Sequence, residues 1–257
     1  MSATPNPNAP FRITPLEAGE PNDGRAMLVI HGYLHDFDEH HIAEKWIRSV
    51  RKAGWTGTIH GLSWQASSVY ELVKEVGSTL LSTAVPIPGP KKLVNGAKIS
   101  ILLWRLINHW KTARNEAEAA GQALAKMIID QGVPDWARNE LHIAGYSLGT
   151  RVAFHALDSL GSKGNACIEN VHLYGGALSR HESWSKAIQA VRGSIRNNYC
   201  KKDMVLQSVY RAAEWHTPIG LTDIDFTHPR ISNRDVTEWV SGHLDYESAI
   251  GDFERYV

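Results

Sequence analysis

The sequence predicts an α/β fold in which a mostly parallel sheet carries helices on both faces. Short apolar runs of strand length alternate with amphipathic helical patterns along most of the chain. The first of these runs, residues 26–31, is apolar almost throughout and ends at Gly32, as buried parallel strands do before a tight loop. A serine between two glycines follows a later run directly, at residues 145–149.

The elements can be placed in chain order from these patterns. Strands are predicted at residues 26–31, 56–60, 141–146, 171–174, 195–200 and 236–240. Helices are predicted at residues 39–52, 148–160, 182–191 and 204–215. The first helix illustrates the criterion, since Ile42, Trp46 and Val50 recur at helical spacing and Gly54 ends the pattern.

Residues 64–130 interrupt the alternation with about three helical patterns and no strand between them. Their apolar stripes begin at Val69, Ile99 and Ala117. We interpret the third stripe as a core helix, because it leads into the strand before the serine. The first two are either core helices or a helical cap over an apolar pocket. We therefore predict a helical cap or insertion at about 64–130.

Chain length and charge favour one domain without a nucleic-acid partner. The 257 residues suffice for a full core. We predict a mobile N-terminal arm at residues 1–23, which are rich in Pro, Asn and Ala, and a single domain at 24–257. Basic and acidic residues each number 27, so no net field points to nucleic acid or to an anionic membrane as the main partner.

Targeting signals and cysteines are few. Cys167 and Cys200 are too few for a disulfide framework and favour a reducing compartment, although a single bridge stays open. The N-terminal stretch lacks the apolar run of a signal peptide. Residues 76–90 and 99–110 are apolar but shorter than a spanning helix of roughly 20 residues. A cytoplasmic location is predicted, with peripheral membrane contact through residues 76–110 or export without a signal peptide as alternatives.

The pattern Gly145-Tyr146-Ser147-Leu148-Gly149 is typical of a nucleophilic serine on a sharp strand-to-helix turn. Such a serine needs a histidine as base and a carboxylate that orients the histidine. In this architecture the acid and then the base follow later strands. Asp203 follows the strand at 195–200 and His243 follows the strand at 236–240, so we predict Ser147, Asp203 and His243 as catalytic residues.

Rival assignments exist for each partner. Asp203 also suits the N-cap of the helix that follows it, a role compatible with catalysis. Other residues of the same types lie in loops without an obvious strand before them: Asp223, Asp225, His216 and His228. Asp245 is expected to cap the last helix.

A tetrahedral intermediate needs two backbone donors for its oxyanion. The amide of Leu148, at a helix N-terminus, is the first candidate. The second is the amide of Tyr33, with Leu34 as an alternative, because a histidine-glycine pair precedes it at a strand end. The other interpretation is that Gly32 only allows a turn.

Several histidines and aspartates cluster in the same loop but do not predict a metal site. They are His31, His35, His40, His41, Asp36 and Asp38. The spacing of known histidine metal motifs is absent, and adjacent His40 and His41 would point in different directions on a helix. We predict neither a metal nor a cofactor.

These residues resemble the α/β-hydrolase superfamily over the range from about Ala26 to the C-terminus. The sequence is also similar to the lipase-like hydrolase domain of the transmembrane and coiled-coil domain-containing proteins. The segments that carry this second likeness are residues 145–149, 171–177, 203–206, 218–221 and 241–246. The chain departs from that family in lacking a clear membrane-spanning pair.

The resemblance implies an α/β-hydrolase fold and a serine ester hydrolase that acts on lipid or other hydrophobic acyl esters. Thioesterase, acyltransferase or peptidase chemistry uses the same residues, so these activities stay open. A non-catalytic interaction protein that keeps the fold is the alternative from another class. The expected partner is a small-molecule or lipid ester, and the sequence does not determine the oligomeric state.

Overall fold

The computed structural model describes residues 10–20, 23–32, 37, 40–64 and 91–256, with the backbone alone at residues 40, 91–109, 209 and 212. Its strands are β1 (Phe11–Glu17), β2 (Arg25–Ile30), β3 (Thr58–Trp64), β4 (Glu140–Tyr146), β5 (Ile168–Tyr174), β6 (Ile195–Tyr199) and β7 (Ile231–Asp235). They form one sheet in the order β1-β3-β2-β4-β5-β6-β7. All neighbours are parallel except β1 and β3, which are antiparallel.

Helices cover both faces of the sheet. They are α1 (His40–Lys52), α2 (Lys91–Gln131), α3 (Gly149–Gly161), α4 (Arg211–Glu214) and α5 (Tyr246–Phe253). Successive side chains of β2 alternate between two apolar clusters, as the two-residue period of a strand requires. Leu28 belongs to the cluster with α2 and α3, whereas Met27 and Val29 belong to the cluster with α1 and α5. The predicted α/β class with helices on both faces is confirmed.

The first five predicted strands are confirmed to within a few residues, but the sixth was placed wrongly. The last strand is Ile231–Asp235, and residues 236–240 form a turn in which the Val240 amide donates to the Val236 carbonyl over 3.0 Å. Both valines are fully buried. Two apolar residues four positions apart lie on the same side of one turn, and this turn is buried. The two valines are therefore apolar because they are buried, although they do not belong to a strand.

Residues 11–17 lie within the stretch predicted as a mobile arm, yet they form edge strand β1. Phe11 pairs with Trp64 and Ile13 with Leu62, and a register shift occurs between Pro15 and Glu17. Proline is tolerated there because an edge strand leaves half of its amide groups unpaired by the sheet. Apolar and polar residues alternate only from Phe11 to Thr14 before Pro15 interrupts the pattern, and no strand was predicted here.

The helical insertion differs from three separate helices. The stripes that begin at Ile99 and Ala117 belong to the single 41-residue helix α2, and the stripe that begins at Val69 lies outside the described residues. Trp110, Ala113 and Ala117 are buried in succession, so the buried face continues through the polar stretch that separates the two stripes. The C-terminal half of α2 packs on α3 as the predicted core helix. The side chains of residues 91–109, on which the cap hypothesis depends, are not described.

Two helices predicted after β4 are shorter or less regular than expected. Of residues 182–191, only Ala187–Ala190 forms a 3₁₀ turn. Ser183 and Ser185 precede it with their hydroxyls 3.0 Å apart, and serine side chains that bond locally compete with helix formation. Residues 204–214 are helical, but Leu206–Tyr210 is a π-turn before α4.

Cys167 and Cys200 are buried free thiols.

We expect His60 to make stability depend on pH. Its ring, 7% exposed, stacks on Trp136 with centroids 3.9 Å apart, and burial lowers its pKa from 6.5 to about 4. The unfolded chain therefore binds more protons between pH 4 and 6.5, so the contribution is present above pH 6.5 and is lost as the pH falls. The variant His60→Phe should reduce this acid-induced loss by roughly 2 kcal/mol.

Chemical denaturation at pH 7 and pH 5 measures the effect. His142, whose pKa burial also lowers to about 4, titrates in the same window, so part of the pH dependence persists in the variant. The control is the exchange of the exposed His216 for glutamine, which should leave the pH profile unchanged. An unchanged profile in His60→Phe would show that His60 does not carry this dependence.

Candidate functional site

Ser147 lies on a sharp turn between β4 and α3 with a positive φ of 54°. The turn brings α3 against β2, since a Cβ at Gly149 would lie 2.2 Å from the carbonyl oxygen of Ile30. Only glycine fits at such a distance. The amide of Ser147 donates to the Tyr174 carbonyl over 3.0 Å, and the Ser147 carbonyl accepts from the Thr150 hydroxyl over 2.6 Å. The strained serine is thus fixed on both sides.

The three predicted catalytic side chains form one hydrogen-bonded chain. The Ser147 hydroxyl lies 2.8 Å from His243 Nε2, and His243 Nδ1 lies 2.6 Å from Asp203 Oδ2. Residues 96 and 40 positions apart in sequence are joined in this way. Ser147 and His243 are 9% and 8% exposed, whereas Asp203 is fully buried. This arrangement suits proton transfer from the hydroxyl to the imidazole.

Asp203 has both carboxylate oxygens occupied. Oδ2 faces His243, and Oδ1 accepts from the Leu206 amide over 3.0 Å. The same carboxylate therefore caps the helical segment 204–214 and orients the histidine. The two roles are compatible, as expected from the sequence. The carboxylate is thus fixed at both of its oxygens.

The rival residues have other partners. Asp225 pairs with His181 at 2.9 Å on the surface. His228 accepts from the amide of Arg230 over 3.2 Å, and His216 is exposed. Asp245 stands at the N-cap of α5, but its carboxylate accepts from the Ser241 hydroxyl and makes no side-chain cap bond.

The base is held by a residue that the sequence analysis did not select. The Tyr146 hydroxyl donates to the backbone carbonyl of His243, and the two rings lie 5.3 Å apart. Tyr146 immediately precedes the serine and is buried between β4 and α5. Tyr146 occupies the variable position between Gly145 and Ser147. Any residue type fits the pattern at that position, so the sequence did not indicate this role.

The structure describes the first of the two predicted oxyanion donors, Leu148, but not the second. Leu148 is fully buried at the N-cap of α3, where amide groups have no acceptor within their own helix. Tyr33 and its alternative Leu34 lie outside the described residues. The loop nonetheless starts beside the serine, because Gly32 packs on Ser147. His31, buried before it, contacts the rings of Trp46 and Tyr146.

We expect the variant Gly32→Ala to lose at least tenfold in kcat/KM on a soluble ester. The added Cβ would lie 2.6 Å from the Ser147 Cβ and 3.2 Å from its hydroxyl oxygen, so the nucleophile would have to move. A matched control is Gly242→Ala, next to the base, where a Cβ meets nothing within 4 Å and activity should stay within twofold. Equal activity of both variants would contradict the assignment of this contact to the site.

Among the described side chains, no group of three or more His, Cys, Asp or Glu is arranged to hold a metal ion. Of the loop cluster considered above, His35, Asp36 and Asp38 lie outside the described residues, and only the backbone is described at His40. Within the part of the chain that the structure describes, no helix is both long and apolar enough to cross a membrane.

Comparison with known families gives a match over nearly the whole chain. A family model described as "Protein of unknown function (DUF726)" matches residues 8–255. The chain belongs to the DUF726 family. The predicted resemblance is confirmed, because relatives of this DUF726 protein include a lipase-like protein and a transmembrane and coiled-coil domain-containing protein.

Three curated relatives illustrate the family. The DUF726 chain is 32% identical over 213 residues to "Uncharacterized membrane protein C6F6.13c" of Schizosaccharomyces pombe, covering 76% of the chain and 26% of that protein. It is 28% identical to "Probable lipase MIL1" of Saccharomyces cerevisiae, covering 76% and 19%. It is 27% identical to "Transmembrane and coiled-coil domain-containing protein STS1" of Oryza sativa, covering 93% and 37%. The chain thus spans well under half the length of these relatives.

Solved structures with a similar architecture are esterases and serine hydrolases. The Pyrococcus furiosus esterase Pf2001 matches with a TM-score of 0.41 and 10% identity over 95% of this chain and 91% of its own. A serine hydrolase homologue from Coxiella burnetii matches with a TM-score of 0.39 and 9% identity over 93% and 86%. The DUF726 protein itself has the predicted mostly parallel sheet with helices on both faces. The names of its membrane-protein relatives do not support the predicted cytoplasmic location, which stays a prediction.

Proposed function

We propose that this chain is a serine hydrolase that cleaves carboxylic esters through an acyl-enzyme on Ser147. The observation that carries the proposal is the hydrogen-bonded chain from Ser147 through His243 to the buried Asp203, with distances of 2.8 and 2.6 Å. A non-catalytic protein has no need to hold a serine at positive φ against an imidazole, since that conformation costs free energy. An enzyme is therefore favoured over an interaction protein.

In the proposed reaction His243 takes the proton of the Ser147 hydroxyl as its oxygen attacks the ester carbonyl. Asp203 stabilises the imidazolium that forms. The amide of Leu148, and in our prediction that of Tyr33, stabilise the tetrahedral oxyanion. His243 then gives its proton to the leaving alcohol. Water, activated by the same base, releases the acid and restores the hydroxyl.

Hydrophobic esters, lipids included, are the proposed substrates. Met204 and Leu244 directly follow the acid and the base, and they are 54% and 48% exposed. Large exposed apolar side chains next to a site mark a surface that receives apolar groups. The name of the yeast relative, a probable lipase, agrees with this proposal. We also propose peripheral membrane contact through residues 76–110.

The test is hydrolysis of p-nitrophenyl esters of increasing chain length, run beside phospholipid and triglyceride, together with labelling by a fluorophosphonate probe. We expect labelling and turnover, with higher kcat/KM on longer acyl chains. A thioester and an amide with the same acyl group distinguish the other acyl-transfer activities. Absence of labelling and of turnover on every substrate would contradict a catalytic role and favour the interaction protein.

A further inference from the structure

Arg151 is a buried cation one helical turn after Ser147. It lies in the first turn of α3 and is only 7% exposed. Within the described part of the chain, no carboxylate forms an ion pair with its guanidinium, and its Nε has no hydrogen-bond partner. A buried charge without a counter-ion is strongly unfavourable, so this arginine works against the stability of the fold.

Tyr210 supplies a second unsatisfied donor at the same place. Its hydroxyl is buried and has no hydrogen-bond partner among the described residues. Burial raises the pKa of Tyr210 well above its usual value, and the nearby positive charge of Arg151 acts against that rise. The Arg151 guanidinium and the Tyr210 hydroxyl thus interact directly, and no described acceptor takes the proton of Arg151 Nε or that of the Tyr210 hydroxyl.

The carboxylates whose charges act on Tyr210 or on the neighbouring His155 form no ion pair with Arg151. Glu214 accepts from Trp110 Nε1 over 2.7 Å and pairs with Arg114 at 3.3 Å. Glu118 accepts from Gln122 over 3.1 Å. Glu182 acts on the pKa of Tyr210 only through space. None of these three carboxylates is paired with the Arg151 guanidinium.

Arg151 follows Ser147 by four residues, about one helical turn, so the two residues share one face at the start of α3. Side chains of an α-helix lean toward its N-terminus, and the N-terminus of α3 carries Ser147 and the amide of Leu148. A guanidinium with free donors binds phosphate and carboxylate in a planar, two-point geometry. The group that best fits the unpartnered Nε of Arg151 is therefore an oxyanion.

We infer that Arg151 and Tyr210 form a subsite for an oxyanion group of the substrate, a phosphate or a carboxylate, next to the ester that Ser147 attacks. This subsite rests on the proposed hydrolase function. It identifies the substrates as acyl esters with an anionic head group. Binding the anion satisfies both donors and neutralises the buried charge. Neutral esters with the same acyl chain leave the charge unpaired and are cleaved more slowly.

The test compares substrates that differ only in the anionic group. One pair is 1-oleoyl lysophosphatidate and 1-mono-oleoylglycerol, and the other is 4-nitro-3-(octanoyloxy)benzoate and 2-nitrophenyl octanoate. The variant Arg151→Gln should lose at least tenfold in kcat/KM on the anionic member of a pair and less than twofold on the neutral member. The pair with the larger difference identifies phosphate or carboxylate. Equal losses on both members would overturn the inference.

A second readout does not depend on turnover. Arg151→Gln should melt at the same temperature as the wild type or higher, because an uncompensated buried charge is removed. Glycerol 3-phosphate should raise the melting temperature of the wild type and of Ser147→Ala, but not that of Arg151→Gln. A variant that melts several degrees lower and shows no ligand-dependent difference would identify Arg151 as a structural residue and overturn the subsite.

The control is Arg138→Gln, an exposed arginine just before β4, at the opposite end of that strand from Ser147. It should change neither the substrate preference nor the ligand-dependent melting temperature. If the wild type cleaves no ester, the proposed function fails, but the melting experiment still decides whether Arg151 binds an oxyanion. The two proposals therefore fail by different measurements.

Discussion

Replacing Ser147 with alanine is expected to abolish fluorophosphonate labelling and to lower ester turnover by roughly a thousandfold or more. The variant removes the hydroxyl that lies 2.8 Å from His243 Nε2, so no acyl-enzyme can form. The fold should persist, because alanine retains the Cβ at φ 54° and the backbone bonds to Tyr174 and Ala177 do not involve the side chain.

Labelling with a fluorophosphonate probe, followed by mass spectrometry of the labelled peptide, measures the effect directly. The matched control is Ser162→Ala at the end of the same helix, an exposed serine whose hydroxyl donates to the Asp158 carbonyl. That variant should label and turn over as the wild type does. Labelling of the Ser147→Ala variant would show that another residue is the nucleophile.

Replacing Asp203 with asparagine is expected to lower kcat by about 10³- to 10⁴-fold while leaving the protein folded. Oδ2 of the buried carboxylate lies 2.6 Å from His243 Nδ1, and Oδ1 accepts a hydrogen bond from the Leu206 amide. An asparagine that keeps the Leu206 bond turns its amide NH₂ toward His243 Nδ1. The imidazole then carries its proton on Nε2 and cannot accept one from Ser147.

Single-turnover kinetics on p-nitrophenyl butyrate measure this loss in the acylation step. Asp225→Asn is the matched control, because Asp225 was one of the two rival acids and pairs instead with His181 at the surface. Its kcat should stay within about twofold of the wild type, since surface pairs contribute little. A large loss in Asp225→Asn together with a small loss in Asp203→Asn would reverse the assignment.

Much of the architecture could be predicted because it depends on local pattern. The strands at 26–31, 141–146 and 171–174 are apolar runs, and their helices carry one apolar stripe each. The failures have a common cause. Val236 and Val240 were taken for a strand, and residues 11–17 for a mobile arm, because apolar content reports burial but not hydrogen-bond partners. Strand pairing is a long-range property.

The sequence by itself determined the predicted nucleophile, its acid and its base, since the chemistry of a serine on a strand-to-helix turn requires those residue types in that order. Only the tertiary structure decided which side chains surround them. Tyr146 holds the backbone of His243, and Arg151 is buried beside Tyr210 without an acid partner. The physical reason is that burial and charge pairing depend on segments far apart in the chain, which the sheet order and helix packing bring together.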